Sequence, residues 1–315
     1  MSCSPLKCKE DIKSLAGDAG FYAVGFADAE PVDDSVTEFY GKWIAEGKSA
    51  DMAYLANHAD IRRDPRLLLD GAKTVIVLAM NYFHKVGEGE NPCGFALYAH
   101  GDDYHEVLRE RLKSIVQYIE NQGFAARVCV DSAPMLERYW AVRAGVGFQG
   151  RNSMLIVPGA GSYFFLCEIV TSLALPADEP CTLSCGDCMA CVKHCPGAAI
   201  ENRHIDARKC HSYLTIEHRG NLPANLSLRG IYGCDECQKC CPHNAAPPFT
   251  PLSVFHLRPA LSSLTPQAVL SLTQPEFSAI FTHSAVKRTK LAGLQRNAVK
   301  YINTVLSSMR KQGLE

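Results

Sequence analysis

The chain has 315 residues, 47% of them hydrophobic, with 32 basic and 33 acidic side chains. Such a length and composition exclude a disordered scaffold and leave room for more than one domain with a real core. A formal charge of −1 gives no global attraction for nucleic acid, and no apolar run approaches the roughly 18 residues of a membrane span. The opening Met1-Ser-Cys-Ser-Pro-Leu-Lys7 carries no apolar signal region, so a cytoplasmic location is expected.

Ile12, Leu15, Ala16 and Ala19 share one helical face, and Phe21 to Phe26 then reads as a strand. Thr74 to Met80 is a continuous apolar run suited to a buried strand. Val107, Leu108, Leu112, Ile115, Val116 and Ile119 form a helical stripe that Gly123 can end, and a strand over Arg127 to Val130 follows. Asp131-Ser-Ala-Pro134 turns the chain into a helix beginning near Met135, and Ser153 to Val157 and Phe164 to Ile169 are two further strands. This alternation predicts an α/β domain over residues 1–177, a cysteine module over 178–248 and a helical C-terminal segment over 249–315. Gly145-Val-Gly-Phe-Gln-Gly150 matches a dinucleotide fingerprint, but it leads from a helix into a strand, the reverse of the required order.

The cysteines concentrate between Cys181 and Cys241, which without an export signal points to metal instead of disulfides. Cys185-Gly-Asp-Cys188-Met-Ala-Cys191-Val-Lys-His-Cys195-Pro196 is the C-x2-C-x2-C-x3-C-P run of two-cluster ferredoxins, whose last thiolate ligates the other cluster. Cys234-Asp-Glu-Cys237-Gln-Lys-Cys240-Cys241-Pro242 repeats the logic. Two 4Fe-4S clusters are therefore expected, one on Cys185, Cys188, Cys191 and Cys241, the other on Cys195, Cys234, Cys237 and one more thiolate. Spacing alone leaves that last ligand open between Cys240 and Cys210. Paired C-x2-C knuckles also build zinc sites, but these need four ligands each and no handover between sites. Cys3, Cys8, Cys93, Cys129, Cys167 and Cys181 read as structural or incidental thiols.

Asp131, at a strand-to-helix turn, reads either as an N-terminal helix cap or as a general acid at the top of a sheet. From His283 onward seven basic residues face Glu315 alone, which suits a solvated helix face or a phosphate-contacting surface.

Several blocks, in order and around the cysteine module, resemble the epoxyqueuosine reductases, cobalamin-dependent iron-sulfur enzymes that complete queuosine in tRNA. They are Arg62-Arg-Asp-Pro-Arg-Leu-Leu-Leu69, His100-Gly-Asp-Asp-Tyr-His105, Val130-Asp-Ser-Ala-Pro134, Arg143-Ala-Gly-Val-Gly-Phe148, Gly161-Ser-Tyr-Phe-Phe165, Asp206-Ala-Arg-Lys-Cys-His-Ser-Tyr-Leu-Thr-Ile-Glu217 and Gly233-Cys-Asp-Glu-Cys237. The resemblance implies a nitroreductase-like cobalamin domain at the N terminus, with the corrin between it and the ferredoxin-like module. It also implies that Asp131 is the proton donor and that Arg62, Asp131, Leu155, Leu166, Ser212, Cys234 and Asp235 line the cobalamin. Cys210 becomes the eighth cluster ligand, and Cys240 a local extra. Ala96 stands where some relatives carry a cysteine near cobalt, and only about 70 residues follow Pro242, where many relatives continue into helical repeats.

Removing an epoxide oxygen as water takes two electrons and two protons. Cobalamin reduced by low-potential 4Fe-4S clusters answers the first need, and Asp131, if burial raises its pKa, answers the second. The implied partners are a tRNA anticodon loop, with phosphates against Arg62, Arg63, Arg219 and the basic tail, and an external low-potential donor, for a monomeric enzyme. The competing readings are a small-molecule cobalamin reductase of the reductive-dehalogenase type and a ferredoxin-type carrier without catalysis.

Overall fold

The computed structural model describes residues 4–201 and 203–311; Cys3 and Glu315 lie outside the described residues. Helix α1 (Pro5–Asp18) starts where the Ser4 side chain accepts from the Lys7 N–H and Pro5 presets the first turn, and it buries Cys8, Ile12 and Ala16. It leads into strand β1 (Ala23–Asp28), followed by α2 (Asp34–Ala45) and the short α3 (Ala59–Arg63). Strand β2 (Thr74–Asn81) is buried at every position. The long stripe then divides at Leu112 into α4 (Tyr104–Arg111) and α5 (Lys113–Asn121), and both halves keep their apolar side on the core.

Strand β3 (Ala126–Cys129), helix α6 (Glu137–Arg143), the β4 (Phe148–Gln149) and β5 (Leu155–Ile156) hairpin, and β6 (Phe164–Thr171) complete the N-terminal part. The main sheet has the order β1-β2-β6-β3, and every pairing is antiparallel. The alternation seen in the sequence thus yields helices packed on an antiparallel sheet. Both faces are covered, which is why β2 reads as a continuous apolar run. Phe26, Ile76, Leu78 and Ile169 pack with α1 and α5, while Val75, Val77 and Val170 pack with Trp140 and Ala141 of α6.

The cysteine module holds α7 (Ala190–His194), the β7 (Ile200–Glu201) and β8 (His204–Ile205) hairpin, α8 (His211–Ile216) and α9 (Glu236–Lys239). The tail is helical, with α10 (Pro259–Ser262), α11 (Pro266–Ser271), α12 (Gln274–Ile280) and α13 (Lys290–Lys311). Thr273 and Glu276 form a full capping box at the start of α12. The tail has no core of its own. Leu261, Phe277, Phe281 and Leu294 pack with Phe95, Ile231 and Tyr232, so it buttresses the loop that leads into Cys234. Asn297, fully buried on α13, donates to the Thr215 carbonyl at 2.7 Å and the Ile231 carbonyl at 2.9 Å. Among the described residues no helix is long and apolar enough to cross a membrane.

Candidate active site

The short spacers of the cysteine runs put three thiols of each run at the ends of α7 and α9, two helices that pack together. Cys241 lies beside Cys185 and Cys188, and Cys191 beside Cys185 and Cys241, so these four form one group. Cys237 neighbours Cys234, Cys210 and Cys195, which form the other. Burial first, and then the neighbouring thiols, push up the pKa of Cys191 and Cys237, and burial also raises that of Cys241. Bare thiols gathered this tightly stay protonated until a positive centre binds them. Cys240 neighbours Cys241 and Cys188, on the side of the first group. Cys210 stands beside the second group and Cys240 beside the first. Among the described residues no three His, Cys, Asp or Glu side chains converge tightly enough to grip a single ion. The corners of a cubane hold their thiolates farther apart than the ligands of one tetrahedral ion.

A polar network ties the first group to the sheet. Asn244, just after Cys241-Pro242, donates to Ser162 Oγ and the Gln238 carbonyl and accepts the Ser162 N–H. Gln238 Nε2 donates to the Ser162 carbonyl and to Tyr82 Oη. Gly161 makes this possible: its φ is +86° and any Cβ would collide with Asn244 Oδ1. On the other group, Asp235 accepts the Leu97 N–H at 2.7 Å and Thr215 Oγ1 accepts the Gly233 N–H at 2.9 Å.

Asp131 lies in the loop after β3, six residues before α6, whose N-cap is Leu136. It is therefore no helix cap, which corrects that alternative. Its φ is +51°, a left-handed conformation that non-glycine residues hold only when surroundings fix it. Three contacts do so. The Asp131 N–H donates to Glu137 Oε1 at 2.9 Å, and the carboxylate Oδ2 accepts from Tyr104 Oη at 2.8 Å and lies 2.9 Å from His105 Nε2. Tyr104 is itself held between the rings of His105 and Phe165, with centroids 4.1 and 4.5 Å away.

The charge state of Asp131 departs from the expectation. Burial raises its pKa, but the hydrogen bonds from His105 and then Tyr104 outweigh it, and the carboxyl ends below its usual range. His105 carries the proton instead. Burial would depress its pKa, yet bonds to Asp103, at 2.7 Å from Nδ1, and to Asp131 lift it to about 9. At neutral pH the site thus holds an imidazolium between two carboxylates. Asp103, Tyr104, His105 and Glu137 were not singled out as site residues by the sequence, although the His100–His105 block contained three of them.

The residues expected to line the cobalamin come from both sides of the molecule. Leu155 of the β4–β5 hairpin and Leu166 of the main sheet share the apolar cluster under α6, while Ser212, Cys234 and Asp235 belong to the cysteine module. Leu166 is the one residue of β6 that is only half-buried. An apolar side chain left open in mid-sheet fits the flat face of a corrin. Arg62 lies over the Tyr40 ring and donates to the Asn57 carbonyl.

Beside this region an open cavity of about 500 Å³ is lined by Asp51, Tyr54, Glu217, Arg219, Lys287, Arg288 and Lys290. Tyr54 on the cavity wall has its pKa raised by burial first, then by Glu217 and, more weakly, Asp131. The basic tail divides in two. Arg296 is spent internally, on the carbonyls of Leu214, His218 and Gly220, and Arg288 pairs with Glu217 at 2.8 Å. Lys287 and Lys290 line the cavity.

Residues 62–132 match the family model described as epoxyqueuosine reductase QueG, DUF1730, and residues 184–244 match a 4Fe-4S double cluster binding domain. The epoxyqueuosine reductase of Leadbetterella byssophila is 39% identical over 91% of this chain and 96% of its own length. The chain belongs to the epoxyqueuosine reductase family. It is accordingly an oxidoreductase whose cofactors are two 4Fe-4S clusters and cobalamin. The Shewanella oneidensis relative, 38% identical, is longer, with 74% of it covered, so lengths differ within the family. A crystal structure of an epoxyqueuosine reductase with an epoxyqueuosine-modified tRNA-Tyr stem loop aligns with a TM-score of 0.89 and 27% identity, over 96% of this chain and 82% of that one. A Bacillus subtilis epoxyqueuosine reductase aligns with a TM-score of 0.87 and 26% identity, over 96% and 82% of the two chains; it was solved with its catalytic aspartate loop swung out of the active site.

Proposed function

We propose that this chain reduces epoxyqueuosine to queuosine in the anticodon loop of tRNA, with Asp131 and His105 together delivering a proton to the epoxide oxygen. The observation that carries this is the Asp131 carboxylate in a left-handed loop, 2.9 Å from the His105 imidazole. His105 Nε2 stores the proton, Tyr104 Oη holds the carboxylate in place, and Asp103 compensates the imidazolium from behind. The pair donates, not a carboxyl kept acidic by burial alone.

Residues 1–177 form the nitroreductase-like cofactor domain, 178–248 the ferredoxin-like module and 249–315 the helical buttress. Cys185, Cys188, Cys191 and Cys241 ligate one cluster, and Cys195, Cys210, Cys234 and Cys237 the other. Arg62, Asp131, Leu155, Leu166, Ser212, Cys234 and Asp235 line the cobalamin, which when bound supplies a low-potential nucleophilic cobalt that the clusters keep reduced. The electrons come from an external low-potential donor. Lys287 and Lys290 receive backbone phosphates beside Arg219 and Arg288, whose own bonds to carbonyls and to Glu217 shape the rim, so the flanking nucleotides are held while the splayed base reaches Asp131.

The test is to reconstitute the protein anaerobically with iron, sulfide and cobalamin, reduce it, and add tRNA bearing epoxyqueuosine. Nucleoside mass analysis is expected to find queuosine. Unchanged epoxyqueuosine with a fully loaded, reduced protein would refute the assignment.

A further inference from the structure

The reduction consumes two protons, and the Asp131–His105 pair stores one. Directly behind it stand two more carboxyls with no part in the scheme so far. Glu137, in the first turn of α6, touches the backbone of Asp131 through Oε1 and is only half-buried. Glu168 lies on β6 in alternation with Phe164, Leu166 and Val170, and that period places it on the face covered by α6. It is fully buried, and neither of its oxygens has a hydrogen-bond partner. A carboxylate in that position would be an uncompensated charge, so Glu168 is a neutral acid.

We propose that Glu137, backed by Glu168, supplies the second proton of the reaction through Asp131. One C–O bond of the ring breaks first, and the oxygen, still bound to the other carbon, becomes a hydroxyl by taking the proton stored on His105. The second proton passes from the Glu137 carboxyl to Asp131, and from there to that hydroxyl, which departs as water while Glu137 becomes a carboxylate. Epoxide, two electrons from the external donor and two protons thus balance alkene and water. Solvent reprotonates the half-buried Glu137 between turnovers. Glu137 acts through Asp131 and is a positioning residue that also carries a proton.

The surroundings agree with the geometry. Burial first, and then the charge of Asp131, push Glu137 up to about 7. Arg138 and the His105 imidazolium oppose this, while Glu168 from β6 and the thiol of its cross-strand partner Cys129 from β3 lie on the same face; Cys167 points to the other side of the sheet. Tyr104 stays a neutral donor, since burial and then Asp131 raise its pKa.

Glu137→Gln keeps an oxygen for the Asp131 N–H and removes only the transferable proton. In the loaded, pre-reduced enzyme its single-turnover rate should fall about 100-fold with unchanged affinity for the tRNA stem loop. The protonated acid is the active form, so the wild-type rate should fall as pH rises through about 7. The variant should lack that limb. A wild-type rate and profile in Glu137→Gln would overturn the inference and leave Glu137 as a loop support. If that variant loses its clusters, infrared spectra of the wild type decide instead. A protonated carboxyl band titrating near pH 7 is expected, and its absence overturns the proposal. The inference rests on the Asp131 assignment, but the two fail separately. An active Asp131→Asn removes the donor itself, whereas inactive Asp131→Asn beside normal Glu137→Gln removes only the second proton source.

Discussion

Seven of the eight thiols assigned to the clusters come from two short runs, Cys185–Cys195 and Cys234–Cys241, with Cys210 alone between them. At Asp131, by contrast, the controlling groups arrive from separate elements: Tyr104 and His105 from α4, Glu137 from α6 and Glu168 from β6. The module's chemistry is written in local spacing, because a cubane's corners are a few residues of chain apart. The proton chemistry is written in tertiary contacts, and its charge states follow from which neighbours the fold brings near. Substitution should therefore separate the two regions cleanly.

The largest separation is expected from Asp131→Asn. Turnover should fall by about 1,000-fold, with the iron content and bound cobalamin of the wild type, when queuosine is counted against both. Loss of iron in this variant would break the comparison by showing that the two regions depend on each other. His105→Gln comes next, at about 100-fold. His105 has a folded pKa raised to about 9, so the proton it stores is present at neutral pH and lost as pH rises through that value. The wild-type rate should carry a limb near pH 9 that the variant lacks. Retention of the limb would assign it to another group. A smaller effect is expected from Lys287→Gln with Lys290→Gln, which alters the cavity rim and neither charge-moving region. Binding of a tRNA stem loop should weaken several-fold, with a salt dependence shallower by about one unit for each phosphate that the rim no longer neutralises. An unchanged salt slope would move the phosphate-binding residues elsewhere.

The sequence carried the strands well where burial was continuous, as at Thr74–Asn81 and Phe164–Thr171. It did not disclose that the sheet is antiparallel, since covering both faces erases the alternation that distinguishes such strands. Nor did it give the state of Asp131. Partial burial alone argues for a raised pKa, and only the hydrogen bonds from the His105 imidazole and then Tyr104 reverse the sign. The basic tail misled for a similar reason. Arg296 looks like the lysines around it until its guanidinium is found bonded to three carbonyls. Cys210 was named by family likeness, and the fold places it beside Cys195, Cys234 and Cys237 while Cys240 lies with the other group.

Iron and sulfide counted per chain in reconstituted wild type, Cys210→Ser and Cys240→Ser test the electron-carrying half of the account most directly. About eight irons are expected in the wild type and in Cys240→Ser, and a loss toward four in Cys210→Ser, as two four-iron clusters require. Zinc in place of iron, or a loss confined to Cys240→Ser, would contradict it.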